Sequence, residues 1–413
     1  MIRLLAVLAA FALIIAACSD SSDETTTTAD SGGGETTTTL ETMEDLTFGM
    51  ILVGPENDRG WSQAHFEGGQ YVEEMLGATM ISLDAVNVAD RPETTVEDVA
   101  ADMIAQGAQL VFMTSDDMRD GAYAAASANP DVPMIWSSGD SAWADGEAYE
   151  ADLTNLGNIM GRMYYGKEIA GCAAGLTTQT GKISYLGPLI NAETLRLASS
   201  VYLGAKHCYG LTGGDPEALE FEVNWIGFWF NIPGVTLDPT EVANAFFDGG
   251  SDVVVSGIDT TEALVVAGQR AAAGEDVYAV SYDYSDGCAE APEVCLGVPY
   301  FNWGPSYLEV AKSVLDGSFS AEHQWLGPDW SDLTNIDTSM IGWVDGDALS
   351  GDAAAELDTF IAGLADESIK LFTGPLNYQD GSAFLADGEE ASDVQLWYMS
   401  QLLEGMEGAS SAG

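Results

Sequence analysis

Along most of the chain, short apolar runs alternate with amphipathic stretches. Phe48 to Val53, Thr79 to Leu83, Leu110 to Thr114 and Val132 to Trp136 are continuous apolar runs of strand length, which predicts buried strands. Helical spacing of apolar residues separates them, over Gln63 to Leu76, Thr95 to Gln106 and Met118 to Asn129. A second series follows, with strands expected at Ile183 to Leu186, Val253 to Ser256 and Val277 to Tyr282. Helices are expected beside them at Leu156 to Leu176, Thr194 to Cys208, Pro239 to Phe247 and Thr261 to Ala273. Repeated strand–helix–strand units predict parallel sheets covered on both faces, and two series predict two α/β lobes. Open parallel sheets bind ligands beyond the carboxyl ends of their strands. The places to inspect are therefore Gly54 to Trp61, Thr114 to Asp117, Trp136 to Asp140, Ser256 to Thr260 and Ser281 to Asp286.

The pattern differs at the N-terminus. Arg3 precedes an apolar run from Leu4 to Ala17, too short to span a bilayer, which takes about 20 residues. A positive start, an apolar stretch and small residues before a cysteine make a secretory signal over residues 1–17. Ile15-Ala16-Ala17-Cys18 resembles a bacterial lipobox, so Cys18 is expected to carry lipid and to begin the mature chain. Residues 18–45 are mostly Ser, Thr, Asp, Glu and Gly; they cannot bury enough surface to fold and are expected to act as a tether. The expected location is extracytoplasmic, lipid-anchored to the cell membrane.

Charge narrows the partners. Sixty-six acidic residues face twelve basic ones, a formal charge of -54. Such a surface repels nucleic acid and anionic lipid, and it suits high salt, where repulsion is screened. Export permits disulfides. Cys288 and Cys295 bracket a six-residue, proline-containing loop that a bridge can close, and Cys172 and Cys208 lie in two helical stretches that a bridge can join. No Cys-x-x-Cys or paired histidine spacing supports a metal site. The acidic loop with Asp345, Asp347 and Asp352 has Ser350 at the sixth position from Asp345, where a calcium hand needs glycine for its turn. Neither a nucleophile elbow nor a His-Glu-x-x-His helix is present, and Gly181-Lys182 lacks the preceding glycine spacing of a phosphate loop. No cofactor and no catalytic residue is expected.

The strand ends carry a series of motifs. Val53-Gly54-Pro55-Glu56-Asn57-Asp58-Arg59-Gly60-Trp61 comes first, then Ala170-Gly171-Cys172-Ala173-Ala174-Gly175 and Phe247-Asp248-Gly249-Gly250-Ser251-Asp252-Val253. Tyr282-Asp283, Asn302-Trp303-Gly304-Pro305 and Phe372-Thr373-Gly374-Pro375-Leu376 follow in order. In this series the chain resembles the basic membrane protein (BMP) family of solute-binding lipoproteins, over Leu46 to Glu404. The resemblance implies a type I periplasmic-binding-protein fold: two doubly wound parallel-sheet lobes joined by a multi-strand hinge. We expect lobe 1 at residues 46–155 plus 289–340 and lobe 2 at residues 156–288 plus 341–413. It also implies capture of a purine nucleoside or base, with riboflavin in a related branch, for an ABC permease and ATPase. A monomer is expected. A sensory receptor or surface antigen of the same fold, and a nucleoside-cleaving enzyme, are the rival readings.

A flat heterocycle wants stacking faces and fixed polar partners on its edges. Trp61, Trp136, Trp229 and Trp303 are the candidate aromatic walls. Asp283, which matches the family's gripping aspartate, Asp259, Ser115 and Asn302 are the candidate polar contacts. Asp116 follows the third strand too, in a local pattern that departs from related sequences.

Overall fold

The computed structural model describes residues 46–411. The signal segment, Cys18 and the tether lie outside the described residues.

Six parallel strands form the first sheet. They are β1 (Thr47–Ile51), β2 (Thr79–Leu83), β3 (Leu110–Met113), β4 (Met134–Ser137), β5 (Leu156–Gly161) and, later in the chain, β11 (His323–Leu326), in the order β11-β5-β4-β3-β1-β2. Helices α1 (Trp61–Leu76), α2 (Val96–Ala105) and α3 (Arg119–Ala128) connect them. The second sheet is also parallel. It contains β6 (Lys182–Gly187), β7 (Glu220–Trp225), β8 (Val253–Ser256), β9 (Tyr278–Val280) and the short C-terminal β15 (Met406–Glu407), in the order β15-β7-β6-β8-β9. Its helices are α4 (Met163–Thr177), α5 (Ala192–Leu211), α6 (Pro239–Asp248) and α7 (Glu262–Ala272). Fully buried strands such as Val253–Ser256 read as unbroken apolar runs because helices cover both faces.

The chain crosses between lobes several times. Strand β10 (Gly297–Phe301) pairs antiparallel with β12 (Ile341–Asp345), while α8 (Gly304–Leu315) packs on α1 of the first lobe. Helix α9 (Gly351–Ala365) packs on α4. A hairpin of β13 (Leu376–Asn377) and β14 (Ala383–Leu385) and the short α10 (Asp393–Trp397) precede the final strand.

Three expectations are corrected. Residues 156–161 form a strand of the first sheet, not the start of a helix, because each of them is buried between β4 and β11. The first lobe therefore runs to Gly161, past the division drawn at 155. The return to that lobe falls after Phe301 rather than at 289, since the bridges Ala279↔Cys295 and Asp283↔Tyr300 hold this segment to the edge of the second sheet.

The Ala-Gly-Cys-Ala-Ala-Gly motif is explained by packing. A Cβ at Gly171 would overlap the Val201 carbonyl oxygen, and one at Gly204 would overlap that of Glu168, so glycine is what lets α4 and α5 lie backbone to backbone. The disulfide Cys172–Cys208 staples the same two helices, with Cα atoms 5.0 Å apart. A second disulfide, Cys288–Cys295, closes the short loop before β10.

Candidate functional site

The cleft is built from strand ends of both lobes. At the end of β1, the Asp58 carboxylate accepts hydrogen bonds from the backbone N–H groups of Gly60 (2.9 Å), Ser62 (3.0 Å) and Gln63 (3.0 Å). These are orphan donors of a helix start, and a carboxylate there also suits the helix dipole. Asp58 thereby fixes where α1 begins and points its first residue, Trp61, into the cleft. The Trp61 indole N–H donates to the Thr114 carbonyl (2.6 Å), and its ring meets Phe301 and Trp303 edge-on.

A cavity of about 380 Å³, counted with its mouth, lies at this point, and Trp61, Ser115, Trp229, Asp259 and Asp283 all line it. The lobes touch around it. Trp229 donates its indole N–H to Asp117 of the first lobe (3.0 Å), and its carbonyl accepts from the Asp259 N–H (3.0 Å). A Cβ at Gly60 would overlap the Asp259 carbonyl oxygen, so the two backbones approach as closely as glycine allows. Arg59 forms an ion pair with Glu290 across the same gap.

Asp283 lines the cavity from the second lobe. It is 0% exposed, and neither carboxylate oxygen has a hydrogen-bond partner among the described residues. Its backbone is pinned between the carbonyl of Pro299 and the N–H of Phe301, in a left-handed conformation with φ 69°. Such geometry is rare outside glycine, though aspartate tolerates it better than most residues. Ser138, also at the cavity, has φ 66°. Burial pushes the carboxyl pKa of Asp283 well above the usual range, the Lys167 ammonium opposes that, and Asp58 adds to it. Asp259 is pushed up likewise, by burial first and then by Asp283. Burial raises Glu193 to about 7, with Arg196 opposing, and it raises Asp116 to about 6, reinforced by Asp117 and Asp140. An unpaired buried carboxylate costs stability; Asp283 is one, and with Asp259, Glu193 and Asp116 beside it the cavity suits a ligand that donates hydrogen bonds.

The other expected residues fall elsewhere. Trp136 lines a neighbouring outer chamber, its N–H bonded to the Ser115 carbonyl (2.7 Å). Asn302 is structural: it donates to the carbonyls of Ile336 (3.0 Å) and Ser339 (2.8 Å). Trp303 is 0% exposed and stacked on His65, with ring centres 3.9 Å apart. It lies behind Trp61, in the core rather than at the lip.

Sequence reasoning missed several wall residues. Glu193, Thr194 and Leu197 come from the start of α5, beyond the carboxyl end of β6, where the strand-end rule already pointed. Lys167 was missed inside an apolar helix. Its ammonium donates to the Ser256 carbonyl (2.7 Å) and lies 3.0 Å from the Tyr282 ring centre. A lone lysine within Met163–Thr177, a helix otherwise almost wholly buried, was the available signal.

Two parallel α/β lobes facing one another across a cavity make a type I periplasmic-binding fold. Two solved solute-binding proteins of ABC transporter systems share it. One from Aeropyrum pernix has a TM-score of 0.62 at 13% identity, covering 87% of this chain and 100% of that one. One from Conexibacter woesei has a TM-score of 0.56 at 20% identity, covering 78% and 97%. The chain belongs to the Bmp family, described as ABC transporter substrate-binding protein PnrA-like, whose profile matches residues 46–327. It is therefore a small-molecule carrier working with transporter subunits outside the cytoplasm, in a family of binding proteins rather than enzymes. A purine-binding protein of Brucella abortus is 27% identical over 366 residues, 88% of this chain and 93% of that one. An ABC transporter protein of Haloferax volcanii, whose name carries a provisional glucose assignment, is 25% identical over 365 residues, 88% and 81%.

Proposed function

We propose that the cleft captures a purine base or nucleoside and hands it to an ABC permease and its ATPase. The observation that carries this reading is the pairing of indole rings with an unpartnered buried carboxylate: Trp61 and Trp229 line the cavity that Asp283 also lines. Stacking on an aromatic ring is worth about 1–3 kcal/mol per base. A ring N–H, exocyclic amine or ribose hydroxyl supplies the donor that Asp283 lacks. Asp259 and Glu193 offer further acceptors. The Cys18 lipid and the tether hold a monomeric carrier within reach of the permease.

The named glucose assignment of the Haloferax relative favours a second reading, a sugar, whose hydroxyls would also satisfy these carboxylates. A thermal-shift panel on the folded region from Leu46 onward separates the two, using bases, nucleosides, riboflavin and sugars. A ligand at 100 times its dissociation constant adds about 2.7 kcal/mol to the folded state. A shift confined to purines or their nucleosides is expected. A shift with sugars alone overturns the purine reading.

A further inference from the structure

Away from the cleft, a second cavity of about 770 Å³, again counted with its mouth, lies between the start of α4, the segment after α9 and the C-terminal chain near α10. Its walls combine the aromatic side chains of Tyr164, Tyr165 and Phe372 with the charged groups of Glu168, Glu367, Lys370 and Glu390. The Tyr164 and Tyr165 rings are 4.3 Å apart, and Phe372 meets Tyr164 edge-on at 6.2 Å.

Into this setting the chain places Glu168, one helical turn after Tyr164. Glu168 is 2% exposed, it lines the cavity, and among the described residues no donor reaches its carboxylate. Lys370, also on the wall, is already committed, with Glu367 at 3.0 Å and Glu390 at 3.0 Å from its ammonium. The cavity thus combines ring faces, which attract cations through their quadrupole, with a buried carboxyl group that burial pushes toward its neutral form and that a cation beside it would hold ionised. A buried charge without a partner is costly. With 66 acidic residues available for the surface, nothing about solubility requires an acid at this interior position.

We propose that this cavity is a second binding site, separate from the cleft, for an organic ammonium ion. The ammonium group pairs with Glu168 and lies against the faces of Tyr164, Tyr165 and Phe372. A neutral molecule of the same shape gains the apolar contact alone. An inorganic cation gains the charge but forgoes the ring-lined body of the cavity. Since α4 follows β5 of the first sheet and packs on α5 of the second lobe, an occupant bears on a helix that joins them.

The test is calorimetric titration of the protein with tetramethylammonium chloride in potassium chloride buffer, with tert-butyl alcohol as the uncharged analogue. Saturable binding of tetramethylammonium is expected, with none of the alcohol. Glu168→Gln keeps the side-chain shape and should weaken binding at least about tenfold without lowering the melting temperature. Phe372→Leu should weaken it by a smaller factor, and Asp283→Asn, in the cleft, should leave it unchanged. Absence of saturable binding overturns the proposal, as does equal binding by Glu168→Gln. Loss of binding in Asp283→Asn would assign the cation to the cleft and likewise overturn it.

Discussion

Asp252 and Asp283 are the same residue type, both end up buried near strands of the second sheet, and the protein treats them in opposite ways. Asp252, 6% exposed, accepts hydrogen bonds from the hydroxyls of Thr178 (2.6 Å) and Thr180 (3.0 Å) and the N–H groups of Gln179 (2.6 Å) and Thr180 (3.0 Å). It organises the turn between α4 and β6 and is complete. Asp283, 0% exposed, accepts no hydrogen bond from the described residues. A satisfied buried carboxylate stabilises the fold; an unsatisfied one at a cavity calls for a partner from outside it, which is the part we propose for the ligand. The tryptophans divide similarly. Trp61 presents itself to the cavity, while Trp303 is sealed behind it between His65 and Phe301.

The comparison breaks most sharply with two substitutions. Asp252→Ala leaves two backbone donors and two hydroxyls without partners and should cost about 3 kcal/mol of stability, read by denaturant unfolding, while the folded fraction keeps its affinity. Asp283→Asn should do the reverse. Asparagine tolerates the left-handed backbone, so the melting temperature should hold or rise, while ligand affinity falls about 100-fold. If Asp283→Asn unfolds the protein and Asp252→Ala weakens binding, the assignment of the two roles is inverted.

Smaller effects should separate the tryptophans. Trp61→Leu should weaken binding about tenfold through lost stacking. Trp303→Leu should lower stability by about 3 kcal/mol through a core cavity and leave affinity unchanged. Titration and melting curves on both variants decide this.

The pH dependence sharpens the comparison further. Glu193 at about 7 and Asp116 at about 6 have folded-state values above their unfolded ones. The folded state therefore holds more protons, and the stability of the ligand-free protein should decline from about pH 4 to about pH 7. A ligand that donates to these carboxylates prefers them ionised, so its affinity should rise over the same interval. The ligand-induced melting shift should widen from pH 5 to pH 7.5; a constant shift would separate Glu193 and Asp116 from binding. The smallest effect belongs to the contact between lobes. Trp229→Phe keeps a ring but loses the hydrogen bond to Asp117 and should speed ligand release by about threefold to tenfold, measured by stopped-flow fluorescence.

Much of the fold was legible because parallel strands covered on both faces leave unbroken apolar runs, as in Val253–Ser256. Residues 156–161 misled because a buried strand and a buried helix look alike in a short apolar stretch. Strand β7, with exposed and half-buried positions among Glu220–Trp225, had no such run to betray it. The strand-end rule pointed to the segments that hold Trp61, Asp259 and Asp283, all of which line the cavity, while the choice of Asp283 within its segment also drew on the family resemblance. Trp303 and Asn302 misled because a motif records proximity without saying which side chain faces the cavity and which faces the core. Lys167 and Glu193 reach the cleft region from helices, where the strand-end argument assigns no particular side chain.

The most direct measurement is calorimetric titration of the wild type and Asp283→Asn with adenine, guanine, hypoxanthine and their nucleosides. A purine-class ligand is expected for the wild type, with about 100-fold weaker binding by the variant and no loss of melting temperature. Equal affinity in the two proteins would contradict it, because the carboxylate that the fold leaves unpartnered would then have no part in holding the ligand.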